Sequence, residues 1–424
     1  MSHLRAVLWR IWRASIFSTL LFPVFHIIRA CSWLVPRDEN IWLFYAWDGF
    51  RFSDNAKYLF LYVHANRKDV RPIWLTRSRS ILHALRARGY RTEMVRSFRG
   101  LYYTLHAKLL IHDGVVVPPV SYWISGGLCS VDLWHGCPLK RIGLECTLTS
   151  FERWLTSRKL IHAWLVLSRP WTVRTEGYLV APGKMWKDIY SDAFKISTER
   201  LWIGGHPRNE ALVRPVRDSD IGTDMWQLAR MRANKAANDK TIVYMPTFRN
   251  RVHNPLLNAD RGFGELDHFL GDHHASLFIK FHHEKETAGV PYSHIHFVAS
   301  SSDAYPLLRH ADVLMTDYSS VFFDFLLTGR PIVFFPFDLQ NYIRNERDLY
   351  FDYDRMTPGE KAYTLEELMK CLGKVLAGHD AYRRERQELL KRVFDHETTR
   401  VCVEMCEKLR RISDAPTCNI TFKT

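Results

Sequence analysis

The stretch that most restricts how this chain can fold is ADVLMTDYSSVFFDFLLTGRPIVFF, Ala311 to Phe335. Val313 to Met315 reads as a short buried strand, and the apolar run stops at Thr316-Asp317-Tyr318-Ser319-Ser320. Ser319 or Ser320 is a good helix N-cap, Val321 to Leu327 reads as a helix that Gly329 ends, and Pro331 to Phe335 is a second buried strand. Strand, helix and strand in so little chain make a βαβ unit, which belongs to a parallel sheet covered by helices. The polar joint therefore falls at the carboxyl end of a strand and the amino end of a helix. Free N–H groups and the helix dipole favour an anion such as phosphate there. From this stretch alone, helix capping and phosphate binding are both open readings of the two serines.

The same alternation runs along most of the sequence. With 424 residues the chain is too long for one ordinary core, and two domains are expected. After Pro36, NIWLFYAW reads as a strand, SDNAKYLFLYVHAN as a helix capped by Ser53 or Asp54, PIWLT as a strand and SILHALRARGY as a helix closed by Gly89. AKLLIHD, SVDLWHGCPLKRIG, RTEGYLV and ERLWIGGHPRNE carry this half to about residue 205. A polar helical segment then runs to Lys240, KTIVYMPTFRN opens a second set of strands, and YRRERQELLKRVFDHETTRVCVEMCEKLRRI is a long amphipathic helical region. The loop Arg249 to Asp267 is a candidate lid. These halves predict two Rossmann-like domains facing a cleft, at 37–205 and 206–390, with a segment 1–36 before them and a tail 391–424 after. Neither GxGxxG nor GxxxxGK[ST] occurs, so neither a dinucleotide nor a Walker-type ATP site is indicated.

Lys plus Arg number 59 against 45 Asp plus Glu, a surplus that calls for an anionic partner: nucleic acid, an acidic membrane surface or a phosphorylated substrate. The eight cysteines form no CxxC pair and read as reduced thiols of a cytoplasmic protein, with Cys402 and Cys406 as core neighbours on one helix. The His-rich stretches carry no HExxH or comparable ligand spacing, so no metal site is expected. In LRAVLWRIWRASIFSTLLFPVFHIIRACSWLVP, the charge-free run Ala14 to Ile28 is shorter than the roughly 20 residues a spanning helix needs. Arginines beside an aromatic, apolar face instead suit a helix lying on acidic lipid, and a helix packed on its own domain is the other reading.

Polar clusters recur where strands end: His135-Gly136-Cys137-Pro138-Leu139-Lys140, Gly205-His206-Pro207-Arg208-Asn209, Pro246-Thr247-Phe248-Arg249, Lys280-Phe281-His282-His283 and Thr316 to Ser320. Together they would line one sheet edge, as a site for a phosphorylated ligand requires. On LWHGCPLKRIG, GGHPRNE, YMPTFR, FIKFHH and the opening segment, the sequence resembles the CDP-glycerol glycerophosphotransferase family of teichoic-acid and related capsule polymer enzymes, from about residue 38 to 360.

The resemblance implies a GT-B fold, attachment to the cytoplasmic face of the membrane, and metal-independent transfer of glycerol phosphate or ribitol phosphate from CDP to a lipid-linked acceptor. It implies no cofactor and no nucleic acid, and it leaves the oligomeric state and the choice of primase or polymerase open. His135 would be the general base, and an acceptor hydroxyl would attack the phosphorus nearer the alditol. His282 would contact the donor pyrophosphate, with Lys280 or Arg249 balancing its charge, while Ser319 and Ser320 would bind phosphate. Thr247, Arg208 and Asn209 match further donor-side positions, Asp317 is a donor-side residue that with Asp324 would organise the loop and helix rather than do chemistry, and Asp54, Asn55 and Lys140 are acceptor-side candidates. Three residues depart from the family pattern: Cys137 for Thr, His283 for Pro and Glu210 for Asp. A GT-B enzyme using a nucleotide sugar is the alternative.

Overall fold

The structure is a computed structural model, and it describes residues 21–114, 122–145, 163–164, 167–168, 177–247, 262–281, 292–345 and 347–415. The first seven strands are β1 (Asp38–Tyr45), β2 (Arg71–Thr76), β3 (Thr92–Met94), β4 (Ala107–His112), β5 (Cys129–Asp132), β6 (Tyr178–Ala181) and β7 (Leu201–Ile203). They form one all-parallel sheet in the order β3-β2-β1-β4-β5-β6-β7. The other six are β8 (Lys240–Met245), β9 (Ala275–Lys280), β10 (Ile295–Val298), β11 (Val313–Thr316), β12 (Ile332–Phe334) and β13 (Glu360–Lys361). They form a second all-parallel sheet, ordered β10-β9-β8-β11-β12-β13.

The strands read as continuous apolar runs because helices cover both faces, so alternation is lost. Ile41 to Tyr45 and Leu109 to Ile111 illustrate this, with every residue buried. Each sheet reverses its direction of winding beside its first strand, between β1 and β4 and between β8 and β11. A crevice opens at the carboxyl ends of the strands at such a reversal.

The helices used below are α1 (Phe22–Ser32), α2 (Asp54–Asn66), α3 (Lys187–Phe194), α4 (Glu210–Val213), α5 (Val321–Phe325), α6 (Arg383–Val393) and α7 (Val401–Asp414). An apolar cluster containing Trp134, Trp186 and Tyr190 beside Phe278, Leu314 and Phe323 joins the two halves of the chain. Fully buried Lys57 of α2 adds a polar tie, donating to Asp303 at 2.6 Å and to the carbonyls of Ser219 and Ile221. Tyr58 donates to the same carboxylate at 2.7 Å.

Several expectations need correction. Neither Ser319 nor Ser320 caps α5 through its side chain; α5 is five residues long, a 3-10 turn over Leu326–Thr328 follows, and left-handed Gly329 closes it. Of the two expected caps on α2, Ser53 makes no side-chain bond, while Asp54 accepts the Asn55 N–H at 2.9 Å; Asp113, at the end of β4, accepts the Ala56 N–H at 2.9 Å as well. The helical region near the end of the chain comprises α6 and α7, and the chain turns between them at Phe394 and Asp395, where Asp395 accepts the Lys184 N–H. α7 then packs back on the first sheet, where Trp42 donates to Ser413 at 3.1 Å and Cys402 and Cys406 join its core as neighbours. The expected lid ends in a helix from Gly262 to Asp272, and its residues up to 261 lie outside the described residues. β1 stops at Tyr45, so Trp47 belongs to a turn and not to the strand.

Candidate active site

His135 stands on the loop after β5, and the loop's shape is over-determined. Asp132 accepts the Trp134 N–H at 2.8 Å, and Trp134 takes a left-handed φ of 53°. Three successive carbonyls are then held from three directions. Asn55 donates to Trp134 O at 2.7 Å, Arg208 to His135 O at 2.8 Å, and the Tyr190 hydroxyl of α3 to Gly136 O at 2.8 Å. Gly136 must be glycine for this approach: with its φ of 156°, a Cβ there would lie 2.7 Å from Ser320 Oγ across the cleft. The His135 ring stacks on Trp134 at 4.1 Å and approaches Trp47 at 6.1 Å.

His135 is solvent-exposed, with Trp134 and Trp47 close beside its ring. Desolvation there lowers its pKa below the ordinary histidine value; Arg208 adds to the effect, and Asp54 and Asp132 oppose it. A histidine neutral at neutral pH can accept a proton from a hydroxyl.

His135 borders a cavity of ≈ 280 Å³ that also takes in Arg51, Asp54, Lys140, Arg208, Lys280, Ser319, Ser320 and Arg347. Its walls are the carboxyl ends of strands from both sheets. Lys280 closes β9, is almost wholly buried, and donates to Ser300 O at 2.9 Å. Burial, with repulsion from Arg51, lowers its pKa to about 8, so it is charged at neutral pH but loses its proton in mild alkali. Lys140 lies on a strand fragment paired antiparallel with Leu349, which ties the His135 loop to the loop carrying Arg347.

Beneath the cavity runs a buried ionic network. Arg208 reaches Asp54 at 2.5 Å and Asp324 at 2.6 Å, and Tyr305 donates to Asp324 at 2.6 Å. Burial opposes the charge on Arg208, but Asp324 and Asp54 outweigh it and raise its pKa well above the ordinary value.

The structure thus brings His135, Lys140, Arg208, Lys280, Ser319, Ser320 and Asp54 to one cavity, and it corrects the contacts expected of others. Asn55 is fully buried and holds the Trp134 carbonyl and the Arg208 N–H, so it positions the site rather than touching an acceptor. Asn209 is also fully buried and does not border the cavity. Asp317 is buried, accepts the N–H groups of Thr247 and Tyr318, and joins the loops after β8 and β11; neither Asp317 nor Thr247 borders the cavity. Arg249, His282 and His283 lie outside the described residues. Trp47, Arg51 and Arg347 were not anticipated, although WDGFR is itself a polar cluster at a strand end and could have been found by the rule that found the others.

Cys137, His206 and Asp324 place their ligand atoms within 4.8 Å of one another, the one such group among the described residues. Asp324 already serves Arg208 and Tyr305 through one oxygen; its other oxygen and both nitrogens of His206 are without hydrogen-bond partners.

A parallel α/β protein with cations, hydroxyls and a low-pKa histidine around one cleft is a group transferase suited to a phosphorylated substrate. A model of the CDP-Glycerol:Poly(glycerophosphate) glycerophosphotransferase family matches residues 27–409, and the chain belongs to that family. It is 26% identical over 375 residues to a teichoic acid poly(glycerol phosphate) polymerase of Bacillus spizizenii, covering 84% of this chain and 89% of the relative. To a teichoic acid glycerol-phosphate transferase of Staphylococcus aureus it is 24% identical over 388 residues, 88% of this chain and 93% of that one. The solved structure of a variant of the wall teichoic acid polymerase TagF has the same fold, with a TM-score of 0.70 at 20% identity over 94% of this chain and 98% of that chain.

Proposed function

We propose that this enzyme transfers glycerol phosphate from CDP-glycerol to a hydroxyl of a teichoic-acid-type acceptor and releases CMP. The observation that carries the reading is the position of His135, a low-pKa base on the edge of a cavity lined by Arg51, Lys140, Lys280 and Arg347. The acceptor oxygen attacks the phosphorus nearer the glycerol, its proton passes to the His135 ring, and the bond from that phosphorus to the CMP oxygen breaks. Cations and the Ser319 and Ser320 hydroxyls stabilise charge on the equatorial phosphoryl oxygens. His282 and Arg249 complete the donor contacts in this reading. The two relatives described above are named for glycerol phosphate, which favours it over ribitol phosphate.

The two sheets with the cleft between their carboxyl ends are read as a GT-B pair, 37–205 carrying the acceptor and 206–390 the CDP donor, with α7 crossing back. We further place the enzyme at the cytoplasmic membrane surface. In support, α1 docks through Phe25 on Trp123 and through Arg29 on Tyr122, while Val24, Ile27, Trp33 and Leu34 remain exposed. No helix among the described residues is long and apolar enough to cross a membrane.

The test is CMP release from CDP-glycerol and, separately, CDP-ribitol, with lipid-linked acceptor membranes and His135→Ala as control. Release by the unaltered enzyme alone, with phosphate appearing on the acceptor, supports the reading. Binding of UDP or GDP but not CMP would replace it with a nucleotide-sugar transferase.

A further inference from the structure

The buried ionic network beneath the cavity is one cation short. Among the described residues, Arg208 is the one arginine or lysine ion-paired with Asp54 or Asp324, so two buried carboxylates share a single guanidinium. A buried charge without compensation is costly unless something of opposite sign completes the set.

Cys137, His206 and Asp324 meet at one end of this network. Cys137 comes from the loop after β5, His206 from the chain leading into α4, and Asp324 from α5. Their ligand atoms lie within 4.8 Å of one another, and each side chain belongs to a residue 1% exposed or less. Asp324 is already oriented: Oδ2 accepts from Arg208 and from Tyr305, both at 2.6 Å. Its Oδ1 faces His206 Nδ1 at 3.8 Å, longer than a hydrogen bond. Oδ1 and both imidazole nitrogens are buried without hydrogen-bond partners, a destabilising arrangement that calls for a ligand. Ligand atoms around a tetrahedral zinc ion lie about 3.3–3.6 Å apart, so the 3.8 Å pair needs little adjustment.

We propose that Cys137, His206 and Asp324 bind one zinc ion, which clips the His135 loop to α5 of the second half. A thiolate, an imidazole and a carboxylate suit zinc rather than magnesium or calcium. On binding, the S–H bond gives its proton to solvent and the Zn–S bond forms, so zinc and thiolate together add one positive charge. That charge balances the surplus carboxylate. Arg208 and Tyr305 hold the ligating carboxylate from behind, as groups around a metal site do. Cys137 borders the cavity, which leaves the fourth zinc position to a water from that side. The ion holds the loop that carries the base and takes no part in the transfer. Its ligands come from three distant segments, so no spacing in the sequence announces them.

Titration of the whole, chelator-treated chain with Co²⁺, a coloured substitute for Zn²⁺, tests the site. One equivalent is expected to bind and to give a thiolate-to-cobalt charge-transfer band. Cys137→Ser, close to isosteric, should lose that band. Co²⁺ affinity should fall in Cys137→Ser and in His206→Asn by more than the roughly 10–100-fold that loss of an outer partner costs. Excess Zn²⁺ should also raise the Tm of the unaltered enzyme and leave that of Cys137→Ser unchanged. A band that survives Cys137→Ser, an affinity that His206→Asn does not alter, or an equal Zn²⁺ shift in both proteins overturns the site. So does failure to bind metal at all, which would leave a proton on His206 to balance the carboxylates. CMP release is read separately, and none of these outcomes decides it.

Discussion

The two sheets repeat one strand order and differ at the place where it opens. Beside β1 and β4 the loops are strained and carry Trp47 and Asp48, while buried Asp113 is held by the Ala56 N–H. On the side of the second sheet the cleft is bordered by cations and hydroxyls, Lys280, Ser319 and Ser320, and Asp317 holds the loops after β8 and β11 together without any positive φ. The topology supplies a crevice in both cases, and only the side chains decide what it accepts. The strain falls on the side that carries the base. Of the eight non-glycine residues with positive φ among those described, Trp47, Asp48, Asp54 and Trp134 surround His135.

If His135 alone does the chemistry, removing it should cost far more than removing any residue of the cavity wall. His135→Ala is expected to slow CMP release by about 10²–10⁴-fold, with CMP affinity intact in equilibrium binding. A variant that still turned over within a few fold of the original would move the base elsewhere.

The next largest effect concerns what ties the two halves of the chain together around the cavity. Arg208 stands between Asp54 on the first half and Asp324 on the second, so Arg208→Ala leaves two buried carboxylates without their cation. A loss of about 3–5 kcal/mol in unfolding free energy is expected, measured by denaturant titration. Lys57→Ala should cost a similar amount by stranding Asp303, whereas Arg384→Ala, an exposed helical pair with Glu388, should cost less than about 0.5 kcal/mol.

This division between site and support explains what the sequence made legible. The alternating apolar runs revealed nearly every strand, because a buried parallel strand leaves a continuous apolar signature. The polar strand ends revealed His135, Lys140, Lys280 and the serines. Asn55 and Asn209 share the chemistry of site residues, and only the packing of α2 and α4 shows them fully buried. Capping was misjudged for a related reason: Asp113 is 57 residues from the N–H it accepts, and no local pattern announces such a partner. Trp47 was hidden by its place at the end of an apolar run, which made it look like strand.

On the second-sheet side, Lys280→Ala should weaken CMP binding about tenfold at neutral pH, as expected for loss of one charged contact in a partly desolvated site. The lysine also gives the cavity a pH dependence. With a pKa near 8 in the free protein, it is charged below that value and neutral above it, so donor affinity should fall as pH rises through about 8. Lys280→Ala should flatten that fall, and a calorimetric titration across the range separates the lysine from any other titrating group.

The smallest effect lies on the base itself. Desolvation and Arg208 favour neutral His135, so its folded pKa lies below 6.5, the ordinary value. The base is competent when unprotonated, and protonation abolishes its function. The acid limb of kcat/KM should therefore have its midpoint below pH 6.5, because that profile reports groups of the free enzyme. Asp54→Asn removes the largest opposing influence and should shift the midpoint further toward acid. A shift toward alkali in that variant would mean that Asp54 acts on His135 through the Arg208 network rather than through its charge.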